Sequence, residues 1–292
     1  MNTLLQRDTL NVRELVQAVT ASDGYRLHYK VWSASHPSAT VVLLHGLMSH
    51  SGWLSGVSSQ LCSEGVKVVG ADRRGSGMNQ AERGDAPSRQ LLLEDLHRVL
   101  EQEHCGAPIY IVGWCWGAVL AINAALEFGR EIKGLALLAP GVFPSALILD
   151  RARSECLDLP DEEDGAAVLP SPITEGMFSE SPEVQKFILN DDLAVRRFTP
   201  RLFRVAREMS LIAATRLPQT NQPVLLVLAA HDQAVDNQRT LGMVDRLRRS
   251  DVTVVTLACS HGMQFEVPDQ LNKCIVKWLR AQPTSVQCGG AR

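Results

Sequence analysis

Around Cys115 the chain reads Ile111-Val112-Gly113-Trp114-Cys115-Trp116-Gly117-Ala118. An apolar strand pattern runs into a G-x-C-x-G turn, and an Ala-rich helical pattern follows at once. A nucleophile elbow needs this arrangement. The turning residue adopts a strained backbone conformation, and small residues two positions to either side let strand and helix approach closely. The side chain then projects above the carboxyl edge of the sheet, with the N-terminal N–H groups of the next helix behind it. Those groups can hold a developing oxyanion and can also stabilise a thiolate. A free cysteine is ordinarily a small buried hydrophobe, but this one lies between two glycines at a strand-to-helix junction. Cys62, Cys105, Cys156, Cys259, Cys274 and Cys288 lack such a context and read as structural.

A cysteine nucleophile needs a base within hydrogen-bonding reach, and the base needs an orienting group. Of the histidines at 28, 36, 45, 50, 97, 104, 231 and 261, His261 is the candidate base. It follows the strand pattern VTVVTLA in the loop Cys259-Ser260-His261-Gly262-Met263, so it emerges on the same carboxyl edge as Cys115. His28, His36, His97 and His104 read as surface or packing residues. His50 lies on a loop near the mouth of the site, where substrate contact and exposure to solvent are both open. His231 is a weaker rival. For the acid, VLLVLAAHDQAVD supplies Asp232 and Asp236. Asp232 leaves the end of the strand by a short loop that can aim it at the histidine. Asp236 stands nearer the next helix start and reads as a cap.

The first strand-to-helix loop is Leu44-His45-Gly46-Leu47-Met48-Ser49-His50-Ser51-Gly52-Trp53. Gly46 allows a tight turn that can present the Leu47 N–H to an oxyanion, and the Trp116 N–H, immediately after Cys115, is the second candidate donor. His45 reads as a support for this loop. Trp53, Trp114 and Met263 are the candidate pocket residues, and Trp114 and Trp116, which flank Cys115, either pack against sheet and cap or wall an acyl pocket with flat apolar surface.

Positioning these groups requires strands that end on one edge. Buried-strand patterns are predicted over residues 39–44, 66–71, 108–112, 134–139, 224–229 and 252–257, after two short strands at 12–20 and 25–32. Helices are predicted over 53–64, 87–103, 116–128, 239–249 and 268–280. Strand-then-helix order with doubly buried strands implies an α/β architecture, a mostly parallel sheet flanked by helices. Between 142 and 222 the rhythm breaks, over a segment too long for an ordinary connection. It is predicted to be an inserted helical cap, with helices near 147–153, 183–198 and 201–216 and an acidic, solvated stretch at 158–164. The expected division is a core of 1–141 and 223–281, the cap at 142–222, and a flexible tail at 282–292.

The chain has 292 residues, of which 29 are Lys or Arg and 32 Asp or Glu, so it lacks the basic footprint of a general nucleic-acid binder. Its 45% hydrophobic content excludes a disordered chain. Seven widely spaced cysteines without a CxxC pair imply free thiols in a reducing compartment and no structural zinc. The start has no apolar signal region, and no stretch has the length of a membrane span. The expected location is the cytoplasm. No metal or organic cofactor is required, and the oligomeric state is not legible.

These residues, in the order nucleophile, acid, histidine, resemble the α/β-hydrolase superfamily over about residues 12–280. The loop Ala71-Asp72-Arg73-Arg74-Gly75-Ser76-Gly77 resembles the D-x-R-G-x-G loop of the monoacylglycerol lipase and lysophospholipase-like branch. The resemblance implies an α/β-hydrolase fold with a helical cap, Cys115, Asp232 and His261 as the catalytic triad, and Leu47 with Trp116 as oxyanion donors. That branch normally carries G-x-S-x-G, whereas this chain has cysteine. Dienelactone hydrolases and polyhydroxyalkanoate synthases are similar in using Cys, His and Asp on this fold, but the cap here is too large for the former and the chain short for the latter.

A cysteinyl acyl-enzyme is itself a thioester, so accepting an acyl group from a thioester is nearly isoenergetic, while cleaving an amide needs far more help at the leaving group. The expected function is therefore an acyl hydrolase, thioesterase or esterase, acting on a small-molecule or carrier-bound acyl substrate. An acyltransferase or cyclising enzyme of secondary metabolism would use the same residues. A non-catalytic ligand-binding protein on a hydrolase scaffold is the third reading. The arginines at 196, 197, 201, 204 and 207 read as a solvated helix face that could also meet a phosphate or carboxylate.

Overall fold

Strands without a polar face belong in the middle of a sheet covered on both sides, and three such strands organise this protein. The computed structural model describes residues 13–156, 168–247 and 251–282. The chain opens with the antiparallel pair β1 (Glu14–Thr20) and β2 (Arg26–Trp32). There follow β3 (Ala39–Leu44), α1 (Ser55–Ser63), β4 (Val66–Ala71), α2 (Arg89–Glu103), β5 (Ile109–Trp114), α3 (Trp116–Phe128) and β6 (Ile132–Leu138). A helical segment comes next, with α4 (Ala146–Cys156), β7 (Leu169–Pro170), α5 (Glu175–Phe178), α6 (Pro182–Leu189), β8 (Arg197–Phe198) and α7 (Pro200–Arg216). The alternation then resumes through β9 (Val224–Ala229), α8 (Asn237–Val244), β10 (Val252–Leu257), α9 (Met263–Glu266) and α10 (Pro268–Arg280).

Eight strands form one sheet in the order β1-β2-β4-β3-β5-β6-β9-β10. Only the β1–β2 and β2–β4 junctions are antiparallel, and all the others are parallel. This is the α/β-hydrolase fold. Every residue of β3, β5 and β9 is buried, which explains their unbroken apolar runs. α3 is apolar on all sides because it lies between the sheet and helices α2 and α7, while α1 packs with α10. β4 pairs on one side of β3 and β5 on the other, so the carboxyl ends of β3 and β5 flank the point where the connections change direction. Open α/β sheets bind ligands at that point.

The segment between β6 and β9 differs from expectation in one element. The helix predicted over 183–198 stops at Leu189. Asn190 caps it, the Asp191 carboxylate accepts the Leu193 N–H at 3.0 Å in a turn of its own, and the Arg196 guanidinium covers the end carbonyls of Ile188 and Leu189 at 2.5 and 2.9 Å. α7 then starts afresh from the Thr199 hydroxyl cap with Pro200 in its first turn. α8 is also shorter than predicted, giving way to a 3-10 turn at Asp245–Leu247. The acidic stretch at 158–164, the first twelve residues, residues 248–250 and the tail beyond Gln282 lie outside the described residues. Among the described residues no helix is long and apolar enough to cross a membrane.

Several bonds tie this helical segment to the loops above the sheet. Val195 donates its N–H to Met48 O at 2.7 Å, and Thr199 donates to Gly84 O at 3.0 Å. Asp85 accepts the Thr199 hydroxyl and pairs with Arg201, while Arg83 reaches the carbonyls of Asp192 and Ala194 at 3.1 and 3.2 Å.

The tightest approach in the fold lies where α3 meets β3. A Cβ on Gly117 would come 2.1 Å from the Leu44 carbonyl oxygen, and one on Gly113 would come 2.4 Å from Gly117 O. Both obstacles are backbone atoms in the centre of the molecule, so they cannot move aside cheaply. Gly117→Ala is therefore expected to destabilise the protein by ~3 kcal/mol or more, read as a lowered urea midpoint, whereas alanine at the unobstructed Gly56 should leave the midpoint near wild type.

Candidate active site

Cys115 occupies the elbow between β5 and α3 with φ 56° and ψ −122°, a left-handed conformation that a side-chain-bearing residue adopts only under constraint. The constraint is visible in its neighbours. The Cys115 N–H donates to Leu138 O at the end of β6 at 2.9 Å, and the Cys115 carbonyl accepts from Gly141 N and Ala118 N. The elbow is thus bonded to the end of the adjacent strand, and its side chain stands at the N-terminus of α3.

His261 and Asp232 come to this edge from two other strands. The His261 Nδ1 lies 2.8 Å from Asp232 Oδ2, and both side chains are fully buried. The other oxygen of Asp232 accepts the N–H groups of Ala234 and Val235 at 2.8 and 3.0 Å, so the carboxylate is held while it orients the imidazole. On the opposite side of the ring, Nε2 has no protein partner within hydrogen-bonding geometry, although Cys115 is near enough to favour the imidazolium. Burial alone would depress this histidine. The Asp232 carboxylate, and after it Cys115, outweigh burial and raise its pKa well above the ordinary histidine range. The pair therefore contributes stability that is fully present below pH 6.5 and is lost as the pH climbs through the raised value.

The rival residues lie elsewhere. Asp236 caps α8 through the Arg239 N–H at 3.0 Å, and His231 is exposed. His36 and His104 are exposed, His97 pairs with Glu131, and His28 bonds Asn79.

The loop after β3 backs directly onto the cysteine, since a Cβ on Gly46 would lie 3.1 Å from Cys115 Cβ and 3.5 Å from its sulfur. Among the described residues neither the Leu47 nor the Trp116 N–H has an internal acceptor. His45 locks the loop from behind. Its Nε2 accepts the Arg73 N–H at 3.0 Å, so Nδ1 carries the proton and donates to Gly46 O at 2.7 Å. Burial, reinforced by the Arg73 charge, holds His45 neutral with its pKa well below the usual range. Arg73 itself reaches Leu47 O at 2.8 Å.

Aromatic side chains close over the site. Trp114 donates its indole N–H to His261 O at 3.1 Å and tilts against the imidazole. Phe178, from α5, packs on His261, Trp114 and Trp53, and its carbonyl accepts the Gly262 N–H at 2.8 Å. Phe187 and Phe265 complete the group around Trp53, and Met263 is fully buried at the start of α9. Cys115 itself is only 6% exposed.

His50 does not face solvent. It is buried, and its Nε2 lies 2.8 Å from Asp191 Oδ2, which also accepts the Trp53 indole N–H at 2.5 Å. Burial would raise the Asp191 pKa, but the bonds from His50 and Trp53 bring it below the ordinary carboxylate range. Asp191, Phe178 and Arg73 are the site residues that sequence reasoning passed over. Asp191 was hidden inside a predicted helix, and Phe178 has no local pattern that marks it. Arg73 is signalled only by the doubled Arg73-Arg74. Among the described residues no group of three or more His, Cys, Asp or Glu side chains could hold a metal ion.

Residues 35–268 match the family model described as Hydrolase_4, serine aminopeptidase, S33. Human monoglyceride lipase is 23% identical over 264 residues, covering 86% of this chain and 84% of that protein. An uncharacterized abhydrolase domain-containing protein of Dictyostelium discoideum is 23% identical across 91% of this chain, which spans only 29% of that relative's length. Among solved structures, a soluble variant of monoglyceride lipase from Saccharomyces cerevisiae, in complex with a substrate analog, superposes with a TM-score of 0.78 at 14% identity. That likeness covers 94% of this chain and 95% of the other.

Asp232→Asn keeps the size of the acid and removes its charge, leaving burial to dominate His261. In an NMR titration the wild-type His261 ring should remain protonated well above pH 6.5, while in the variant it should lose its proton at lower pH. Identical titration in both proteins would contradict the assignment of Asp232 as its charge partner.

Proposed function

Because the chain belongs to the serine aminopeptidase S33 family, we propose that it is an acyl hydrolase, an esterase or thioesterase, that works through a cysteinyl acyl-enzyme. The observation that carries this reading is the buried 2.8 Å contact between His261 and Asp232 at the edge where Cys115 holds its left-handed turn. Cys115 is the nucleophile, His261 the base and acid, and Asp232 the orienting carboxylate. Leu47 and Trp116 donate their N–H groups to the oxyanion. Trp53, Trp114 and Met263 line the acyl side, and residues 142–222 form a cap that moves to admit substrate.

In this mechanism the proton of Cys115 resides on His261, and the thiolate attacks the carbonyl carbon of an ester or thioester. The tetrahedral oxyanion collapses as His261 returns the proton to the departing alcohol or thiol. Water then enters, gives a proton to His261 and attacks the acyl-enzyme. The carboxylic acid leaves and the thiolate–imidazolium pair is restored. The monoglyceride lipases among its relatives support an apolar acyl chain on the substrate, and the aromatic walls suit one. A small molecule or a carrier can supply the acyl group.

A second reading is favoured by one observation, the closed aromatic roof of Trp53, Trp114 and Phe178. Such a wall restricts water, and an acyl-enzyme protected from water can pass its acyl group to an amine, alcohol or carbon nucleophile. The protein would then be an acyltransferase or cyclising enzyme of secondary metabolism.

Intact-protein mass spectrometry after mixing with acyl-thioesters and activated esters tests the common step. Wild type is expected to gain the mass of one acyl group, and Cys115→Ala to gain none. An adduct that decays in water alone identifies a hydrolase, and one that persists until an acceptor is added identifies a transferase. Equal labelling of the two proteins would refute the cysteine nucleophile.

Phe178→Ala opens the roof over His261 while leaving the triad intact. It is expected to speed the decay of the adduct in water several-fold, measured in the same instrument, because water then reaches the thioester more readily.

A further inference from the structure

Two adjacent arginines follow β4, and both are buried, Arg73 at 7% exposure and Arg74 at 1%. Their surroundings differ. Arg74 has the partners that a buried cation needs. Asp95 accepts its Nε and Nη2 at 2.6 and 2.8 Å, Asp23 accepts Nη1 at 2.9 Å, and the Tyr25 ring lies under the guanidinium at 4.6 Å. Its function is fully described by holding the fold together.

Arg73 has no such partner. Among the described residues no carboxylate lies within ion-pair distance of it. Its Nη2 donates to Leu47 O at 2.8 Å and to the Ser76 hydroxyl at 2.7 Å, its Nη1 lies 3.5 Å from Gly46 O, and its Nε has no partner. The plane sits 4.9 Å from the Trp116 ring. The carboxylate of the preceding residue, Asp72, is committed to the N–H groups of Ser51 and Met78 at 2.7 and 2.9 Å. Asp72 favours the charge of Arg73 without bonding it, so the buried guanidinium bonds only neutral oxygens and can stabilise a further anion beside it.

The residues Arg73 touches indicate which anion. Gly46 abuts Cys115, Leu47 carries one candidate oxyanion donor, and Trp116 carries the other. Burial pulls the guanidinium pKa down to about 10, while Asp72, and after it Cys115, favour its charged form.

We infer that Arg73 is a positioning residue for the reaction, clamping the peptide carbonyls of Gly46 and Leu47 so that the Leu47 N–H faces the reacting carbonyl, while its positive charge balances the thiolate of Cys115 and the oxyanion that replaces it. This inference rests on the cysteinyl acyl-enzyme reading. It assigns the extra positive charge beside the triad to the anion that chemistry creates there. The charged and titratable groups around Cys115 are then His261 with Asp232 on one side and Arg73 with neutral His45 and engaged Asp72 on the other.

The test is the pH profile of iodoacetamide alkylation at Cys115, located by mass spectrometry with Cys115→Ala as the control, together with ester turnover, for wild type, Arg73→Gln and Arg73→Lys. Circular dichroism checks that each variant is folded. Arg73→Gln should move the alkylation profile to higher pH and reduce kcat by roughly 10- to 100-fold with little change in KM, the behaviour of a group that acts on the transition state. Arg73→Lys keeps the charge and loses the fork, so it should hold the wild-type alkylation profile while kcat falls. A wild type that neither alkylates at Cys115 nor forms an acyl adduct would overturn the acyl-enzyme reading itself. A wild type that does both, matched by Arg73→Gln in profile and turnover, overturns the role of Arg73 alone. Should the glutamine variant fail to fold, turnover by Arg73→Lys within twofold of wild type removes the clamp.

Discussion

The close approach of α3 to the carboxyl end of β3 is the constraint on which the site depends. Gly117 lies so near Leu44 that a side chain cannot fit between them, and Gly113 lies almost as close to Gly117. With both backbones pressed together, the one residue that turns between β5 and α3 has nowhere to relax, so Cys115 keeps a positive φ. The same approach puts the start of α3 beside the loop that leaves β3. The proposed oxyanion donors, the Trp116 and Leu47 N–H groups, lie on these two neighbouring segments. A looser elbow would separate them, and the chemistry at Cys115 would lose its electrostatic setting before any catalytic side chain was changed.

Charge is the second organising element. His261 and Asp232 are fully buried, yet the pair is stable because the carboxylate takes two backbone N–H bonds as well as the imidazole. Arg74 with Asp95 and Asp23 follows the same rule on the other side of the sheet edge. Arg73 is the exception, a buried cation bonded only to neutral oxygens. Its charge, the N-terminus of α3 and the imidazolium of His261 all favour negative charge at the same place. A mechanism that passes through a thiolate and then an oxyanion uses that field at every stage.

The fold was legible because its evidence is periodic. Short, unbroken apolar runs such as ATVVLL and VLLVLA, six residues long and Val-rich or Leu-rich, fit interior parallel strands, and the glycines at 113 and 117 mark the elbow without reference to anything distant. Asp232 and His261 were approachable for a related reason, because each leaves a predicted strand on the same edge. What the sequence hid is set by contacts across the chain. Asp191 read as part of a helix because Asn190 and the Arg196 guanidinium, which end that helix, form no repeating pattern. Its bonds to His50 and Trp53 join residues more than a hundred positions apart, and no local window contains both ends. Phe178 is likewise an ordinary apolar residue until α5 brings it onto His261.

The roof ties these elements to the choice between water and another acceptor. Phe178 contacts the imidazole, the Trp114 ring and Trp53, and its carbonyl also bonds the loop that carries His261. Any displacement that admits substrate therefore pulls on the base as well. Asp191 fastens the same region to His50 and Trp53, beside the oxyanion loop. The segment between β6 and β9 thus contacts both the loop that carries His261 and the loop that follows β3. On the proposed acyl-enzyme reading, the aromatic group packed on His261 sets how readily water reaches the thioester.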